Sequence, residues 1–289
     1  MTTFLVTGAN GKLGRHVTQL LLEANAGTVI AASRDPSKLA DLAAKGAETR
    51  SADFDNPASL VEAFKGVDRL LLISTDSMGP GQRLAQHAAA IAAAKQAGVA
   101  HVVYTSMPKP ETSAVTFAPD HLGTENTLKA SGLAYTILRN SWYQENLLLG
   151  LAPALKSGQW YSAAGNGKTP HIARADCARA AVGALIQAPA NQTFTLTGPE
   201  LLTTQQIAAL ASAATGKPLA VIELTDEQLA DGMKHAGVPE MLIPMLVSFD
   251  TNTRQDGFDI LTNDVETLTG HKPATLEAFF AANAQALLA

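Results

Sequence analysis

Short apolar and β-branched runs recur at residues 4–7, 28–33, 48–51, 70–74, 101–106 and 134–138, and longer segments with helical spacing separate them. A strand covered on both faces reads as such a run, and its alternation with helices predicts βαβ units in one parallel sheet. Right-handed crossovers then make a Rossmann-like order the natural topology. The helix boundaries are written in the same stretch. Asp35-Pro36 opens one helix and Asn56-Pro57 another, with proline in the first turn, while Gly46, Gly66, Gly98 and Gly132 each stop one.

Beyond residue 141 the pattern breaks into shorter elements around Pro153, Gly158, Gly165, Gly167 and Pro170. A run at 193–197 is expected to extend the sheet. Two later helices are announced by capping boxes, Thr203 with Gln206 and Thr225 with Gln228. The expected class is α/β: a doubly wound parallel sheet with a smaller, interleaved C-terminal α/β region. Residues 1–146 read as the Rossmann-like domain. Residues 147–289 read mostly as the other wall of a cleft beyond the carboxyl ends of the strands.

The first strand runs directly into Gly8, Gly11 and Gly14 and then into an amphipathic segment. In that position Gly8 permits a tight turn, Gly11 lets the backbone approach a pyrophosphate, and Gly14 lets the helix pack closely on the sheet. The phosphate would sit at the helix N-terminus, facing free N–H groups and the positive end of the helix dipole. Asn10, Lys12 and Leu13 complete this expected cofactor-binding turn. Arg34 follows the second strand, where its planar fork suits a 2′-phosphate, so NADP(H) is preferred; the neighbouring Asp35 keeps NAD(H) as the second choice.

Composition narrows the class. A net charge of −5 and seven scattered histidines offer no basic face for nucleic acid. No apolar run is long enough to span a bilayer, and the chain enters its first strand with no room for a signal peptide, so a cytoplasmic protein without membrane insertion is expected. The single cysteine, Cys177, rules out an internal disulfide or a cysteine metal cluster and reads as a small buried side chain. No flavin or metal signature is visible. A homodimer is the one macromolecular assembly left open.

The motifs VTGANGKLG, SRDPSKL, SADFDNPASLVEAFKGVDRLLLIS, AAKQAGVAHVVYTS and YTILRNSWYQEN, in that order, closely resemble the NmrA-like atypical short-chain dehydrogenase/reductases. Within that family the likeness is greatest to bacterial NAD(P)H:quinone oxidoreductases and triphenylmethane reductases, and it is strongest up to residue 146. The resemblance implies an adenine contact at Asp53 and Phe54. It also implies that Ser74 and Thr75 lie along the cofactor and that Thr105 and Ser106 lie near the nicotinamide.

The chain departs from the wider family at the proton donor. Where alcohol-acting relatives carry a Tyr-x-x-x-Lys pair, this chain has His121 and Glu125. A glutamate cannot depress a phenol's pKa, so the usual carbonyl–alcohol chemistry is in doubt; quinone and dye reduction tolerate the loss. His121 is the candidate catalytic hydrogen-bond donor, with Glu125 one helical turn later holding it. Tyr104, inside an apolar strand, reads as a packing residue. For a flat aromatic, quinone-like acceptor the candidates are Asn140, Trp142, Tyr143 and Asn146, with Met78 and Met107 on neighbouring loops. Trp160-Tyr161 is a second aromatic pair without an assigned place, and Gly79-Pro80-Gly81 reads as a lid edge or a plain loop. The expected function is an NADPH-dependent reductase of such an acceptor. The alternatives are an NADP(H)-binding redox sensor without turnover, and a reductase of a triphenylmethane or azo dye.

Overall fold

The computed structural model describes residues 1–79 and 81–288. The first half alternates β1 (Thr3–Val6), α1 (Lys12–Glu23), β2 (Thr28–Ser33), α2 (Ala40–Ala43), β3 (Glu48–Ser51), α3 (Pro57–Phe64), β4 (Arg69–Leu72), α4 (Gln82–Ala97), β5 (His101–Ser106), α5 (Ala118–Ala130) and β6 (Ala134–Asn140). The second half continues with α6 (Gln144–Ser157), β7 (Gln159–Ser162), β8 (Lys168–Thr169), α7 (Arg174–Gln187), β9 (Gln192–Leu196), β10 (Leu202–Thr203) and α8 (Thr204–Thr215). It ends with β11 (Ala220–Glu223), α9 (Asp226–His235), α10 (Ile243–Arg254), α11 (Asp264–Thr269), α12 (Leu276–Ala282) and α13 (Ala284–Leu288).

Among the described residues seven strands form one parallel sheet in the order β3-β2-β1-β4-β5-β6-β9. The order reverses between β1 and β4, which is where a doubly wound sheet opens a crevice for a ligand. Apolar positions alternate to the two faces. Val6, Leu71, Val103 and Leu138 pack under α1, α7 and α11, while Leu5, Leu70, Leu72 and Tyr104 pack under α3, α4 and α5. A separate core of Leu147, Leu151, Ile207, Phe280 and Leu287 joins α6, α8, α12 and α13.

Strand ends differ from the sequence pattern for a local reason. β4 stops at Leu72, because the next two N–H groups donate to side chains: Ile73 to the Thr7 hydroxyl at 2.9 Å and Ser74 to the Thr105 hydroxyl at 2.9 Å. β6 runs two residues further than its apolar run, to Asn140, because β9 pairs with it from Thr136↔Gln192 to Asn140↔Leu196. Asp35 caps a short 3-10 turn over Pro36–Leu39 that leads into α2, and Asn56 caps α3. Both capping boxes form, at the starts of α8 and α9. Of the loop segment read as a lid edge, Pro80 lies outside the described residues.

Candidate active site

The turn after β1 has the geometry that its glycines imply. Gly8 sits at φ +60°, in the left-handed region, and a Cβ on Gly14 would lie 2.5 Å from the Gly8 carbonyl oxygen, so α1 is seated against the turn as closely as backbone allows. The helix starts at Gly11 with no side-chain cap and no acidic residue in its first turn, and Lys12 beside it is exposed. An uncapped, glycine-lined helix start with an adjacent ammonium is complementary to a pyrophosphate, so these residues fit a dinucleotide. Thr7 fastens the base of the crevice, donating to Leu71 O at 3.1 Å while it accepts from Ile73.

A cleft of about 450 Å³ runs from this turn across Ile73, Ser74, Thr105 and Ser106 to Met107, Asn140, Trp142, Tyr143 and Asn146. Its far wall also holds Arg83, Phe117, His121, Ser141 and Arg174. Asn140 donates to the Tyr143 hydroxyl at 3.0 Å, leaving its own carbonyl oxygen buried and without a partner. The Trp142 ring stands 4.1 Å from Phe249 and 6.1 Å from Phe258, centroid to centroid, and separates the cleft from a second chamber of about 190 Å³ that Trp160 and His171 also line. Tyr161, the neighbour of Trp160, is exposed.

His121 is 4 % exposed. Its Nδ1 lies 2.8 Å from the Tyr104 hydroxyl and its Nε2 lies 3.3 Å from an Arg83 nitrogen. A guanidinium has only donors, so Nε2 accepts, and the ring proton sits on Nδ1 and is donated to Tyr104. Burial, then the Arg83 charge and His87, push the imidazole down to about 3. Burial also raises the Tyr104 phenol, so both groups are uncharged at neutral pH. His87 is fixed in the same way. Its Nε2 accepts from Thr75 N at 3.0 Å, and its Nδ1 donates to the Thr124 hydroxyl at 2.9 Å.

Glu125 does not hold His121. It is fully buried against Arg139, with 2.9 Å from Nε to Oε1 and 2.8 Å from Nη2 to Oε2; Ser106 Oγ donates to it at 2.7 Å and Lys129 pairs with it at 3.3 Å. The reason is position: one turn further along α5, the carboxylate stands over the end of β6, where Arg139 projects. Tyr104 likewise packs in the core as its strand pattern implies, yet its hydroxyl reaches the cleft histidine.

The other sequence candidates divide by place. Met78 is 47 % exposed on the loop before α4 and does not line the cleft. Arg34 is exposed and makes no hydrogen bond or ion pair among the described residues, while Asp53 and Phe54 are half-buried beyond β3. Asn10 accepts from Arg15 at 3.3 Å. Thr75 is half-buried with its hydroxyl unpartnered. Cys177 is buried among apolar side chains, which pushes its thiol well up. Among the described residues no group of three or more histidine, cysteine or carboxylate side chains is placed to hold a metal, and no helix is long and apolar enough to cross a membrane. Arg83 and Phe117 escaped the sequence reading. The available signal was the trio Arg83, Gln86 and His87, whose i, i+3, i+4 spacing in an alanine-rich helix puts three polar side chains on one buried face.

Sheet order, glycine turn and cleft together define an NAD(P)H-dependent oxidoreductase of Rossmann type. The chain belongs to the NAD(P)H-binding family, whose model matches residues 8–188. It is 37 % identical over 273 residues to quinone oxidoreductase 2 of Escherichia coli, covering 94 % of this chain and 95 % of that one. The structure superposes with a TM-score of 0.92 on the NADPH complex of an Escherichia coli NADPH-dependent quinone oxidoreductase, at 36 % identity over 96 % of this chain and 99 % of that one. On the triphenylmethane reductase of Citrobacter sp. complexed with NADP(H) the TM-score is 0.89, at 31 % identity over 98 % and 99 % of the two chains.

Proposed function

We propose that this protein transfers hydride from NADPH to a quinone-like aromatic acceptor, with residues 1–146 holding the nucleotide and also lining most of the acceptor wall, to which Arg174 of the later region adds. The observation that carries the reading is the single cleft joining an uncapped, glycine-lined helix start to an aromatic wall with unpartnered polar edges. Bound there, a reduced nicotinamide supplies the hydride.

The start of α1 and Lys12 hold the pyrophosphate, Arg34 pairs with the 2′-phosphate, and Asp53 with Phe54 receives the adenine. Hydroxyls of Ser74, Thr75, Thr105 and Ser106 orient the ribose and nicotinamide. Met107, Trp142 and Tyr143 flank the flat acceptor, and Asn140 and Asn146 bond its oxygens. His121, neutral, gives its one N–H to Tyr104 and accepts from Arg83 at Nε2, so it has no donor left for an acceptor, contrary to the expected role, and serves to hold Arg83 at the cleft. No flavin or metal is needed. Catalysis comes from holding a reactive acceptor against the hydride source in a water-poor cleft.

The test follows reduced-nicotinamide absorbance with NADPH or NADH and a panel of benzo- and naphthoquinones, for the wild type and Arg34→Ala. Rapid oxidation favouring NADPH is expected. Loss of a charge-assisted contact in the variant should weaken NADPH about 10- to 100-fold and leave NADH unchanged. Tight NADPH binding without turnover of any quinone would overturn the reductase reading in favour of a nucleotide sensor. Equal losses for both nucleotides would overturn the assignment of Arg34.

A further inference from the structure

Arg83 is a buried cation without an anion. It is 8 % exposed, it lines the acceptor end of the cleft, and among the described residues no carboxylate lies within ion-pair distance of it. Arg139, by contrast, has both Glu111 and Glu125. The contacts of Arg83 are weak: 3.3 Å to His121 Nε2, 3.3 Å to Ser77 O, and its guanidinium carbon 4.5 Å from the centre of the Phe117 ring. Its Nε is buried with no partner at all. Asp120 and Asp76 act on it only through longer-range attraction. Taking an unpaired guanidinium out of water is costly, and a fold that retains one beside a substrate cleft has a donor fork waiting for negative charge that arrives from outside.

We propose that Arg83 is a catalytic residue of the acceptor half that receives the oxyanion formed on reduction, and that it thereby selects neutral carbonyl acceptors over cationic dyes. This deepens the reductase reading and rests on it. A neutral quinone that takes up hydride gains one bond to hydrogen and two electrons, and its hydride source is oxidised by the same two. The displaced π pair settles on oxygen as a hydroquinone monoanion, which water then protonates. The guanidinium strengthens its hold as that charge grows, so it stabilises the transition state more than the neutral ground state. A cationic triphenylmethane carbon loses its charge on accepting hydride and develops none on oxygen. For that acceptor Arg83 gives only repulsion on binding.

The experiment compares wild type, Arg83→Lys and Arg83→Gln. First, 4-nitrophenol is titrated into the protein saturated with NADP⁺, and the visible absorbance of the phenolate reports its protonation. Wild type should bind the phenolate in preference to the phenol, lowering the apparent pKa of the bound probe by about one unit or more. Arg83→Lys should keep part of that shift and Arg83→Gln none. Second, Arg83→Gln should lower kcat for quinone about 100- to 1,000-fold with NADPH affinity unchanged, while KM for a cationic triphenylmethane dye falls. Thermal stability should hold or rise in Arg83→Gln, because no carboxylate loses its partner. Equal phenolate preference in wild type and Arg83→Gln would overturn the proposal, as would parallel losses for quinone and dye. If wild type reduces no quinone, the reductase reading fails by itself, and the nitrophenol titration still decides what Arg83 binds.

Discussion

Acidification should destabilise this protein well above the range where ordinary carboxylates titrate. His87, His101, His121 and His171 are all buried, at 0, 5, 4 and 8 % exposure. Burial is the largest cause of each shift, and it brings His87 and His121 down to about 3 and His101 and His171 down to about 4, from an ordinary 6.5. The folded state therefore refuses a proton that the unfolded chain accepts, so stability is complete above the unfolded value and falls as pH drops through it. At about pH 5.5 each unfolded imidazole is about 90 % protonated while the folded ones stay neutral, a loss of about 1.4 kcal/mol per histidine relative to pH 7.5. Four such groups give about 5 kcal/mol, a large share of the roughly 5–15 kcal/mol that a folded domain has in total. Asp120 and Asp250, which burial raises, work in the opposite direction. Urea denaturation followed by circular dichroism at both pH values measures the change. In His101→Gln, where an amide can replace the bond to the Thr136 hydroxyl, the pH-dependent loss should shrink by about a quarter. A stability difference below about 1 kcal/mol across the interval would refute the reasoning.

Two further perturbations test the turn and the buried ion cluster. Gly14→Ala places a Cβ 2.5 Å from the Gly8 carbonyl oxygen, whereas Gly11→Ala leaves 3.2 Å; chemical denaturation should show a stability loss of about 1–3 kcal/mol for the first and a smaller one for the second, and equal stabilities would contradict the packing argument. Glu125→Ala strips Arg139 and Ser106 of their buried partner and should cost about 3–5 kcal/mol in chemical denaturation; a cost below about 1 kcal/mol would show that Glu111 alone satisfies Arg139.

The sheet was legible because its central strands are covered on both faces and so read as unbroken apolar runs, as at Leu70-Leu71-Leu72 and Val102-Val103. The glycine turn was legible because its conformation demands glycine. What the pattern could not give is contact across the fold. Arg83 meets His121 over a separation of 38 residues, and Glu125 turns to Arg139 although its spacing from His121 is equally good for a helical pair. Spacing says which residues share a helix face; it does not say what stands opposite. Met78 follows the β4 end closely in sequence, yet its side chain is turned outward to solvent.

The pairing of β9 with β6 has a consequence for how an acceptor enters. Asn140, at the floor of the cleft, is held in the same ladder as Leu196 of the returning chain, and α11 supplies Val265 and Leu268 to the core that lies beneath β1 and α1. A swing of one wall away from the other would have to tear that ladder and open that core, at a cost comparable to unfolding. The cleft therefore behaves as a rigid mould. An acceptor then meets a pocket whose shape is set before it arrives, and motion around it falls to side chains, on the time scale of rotamer exchange instead of domain closure.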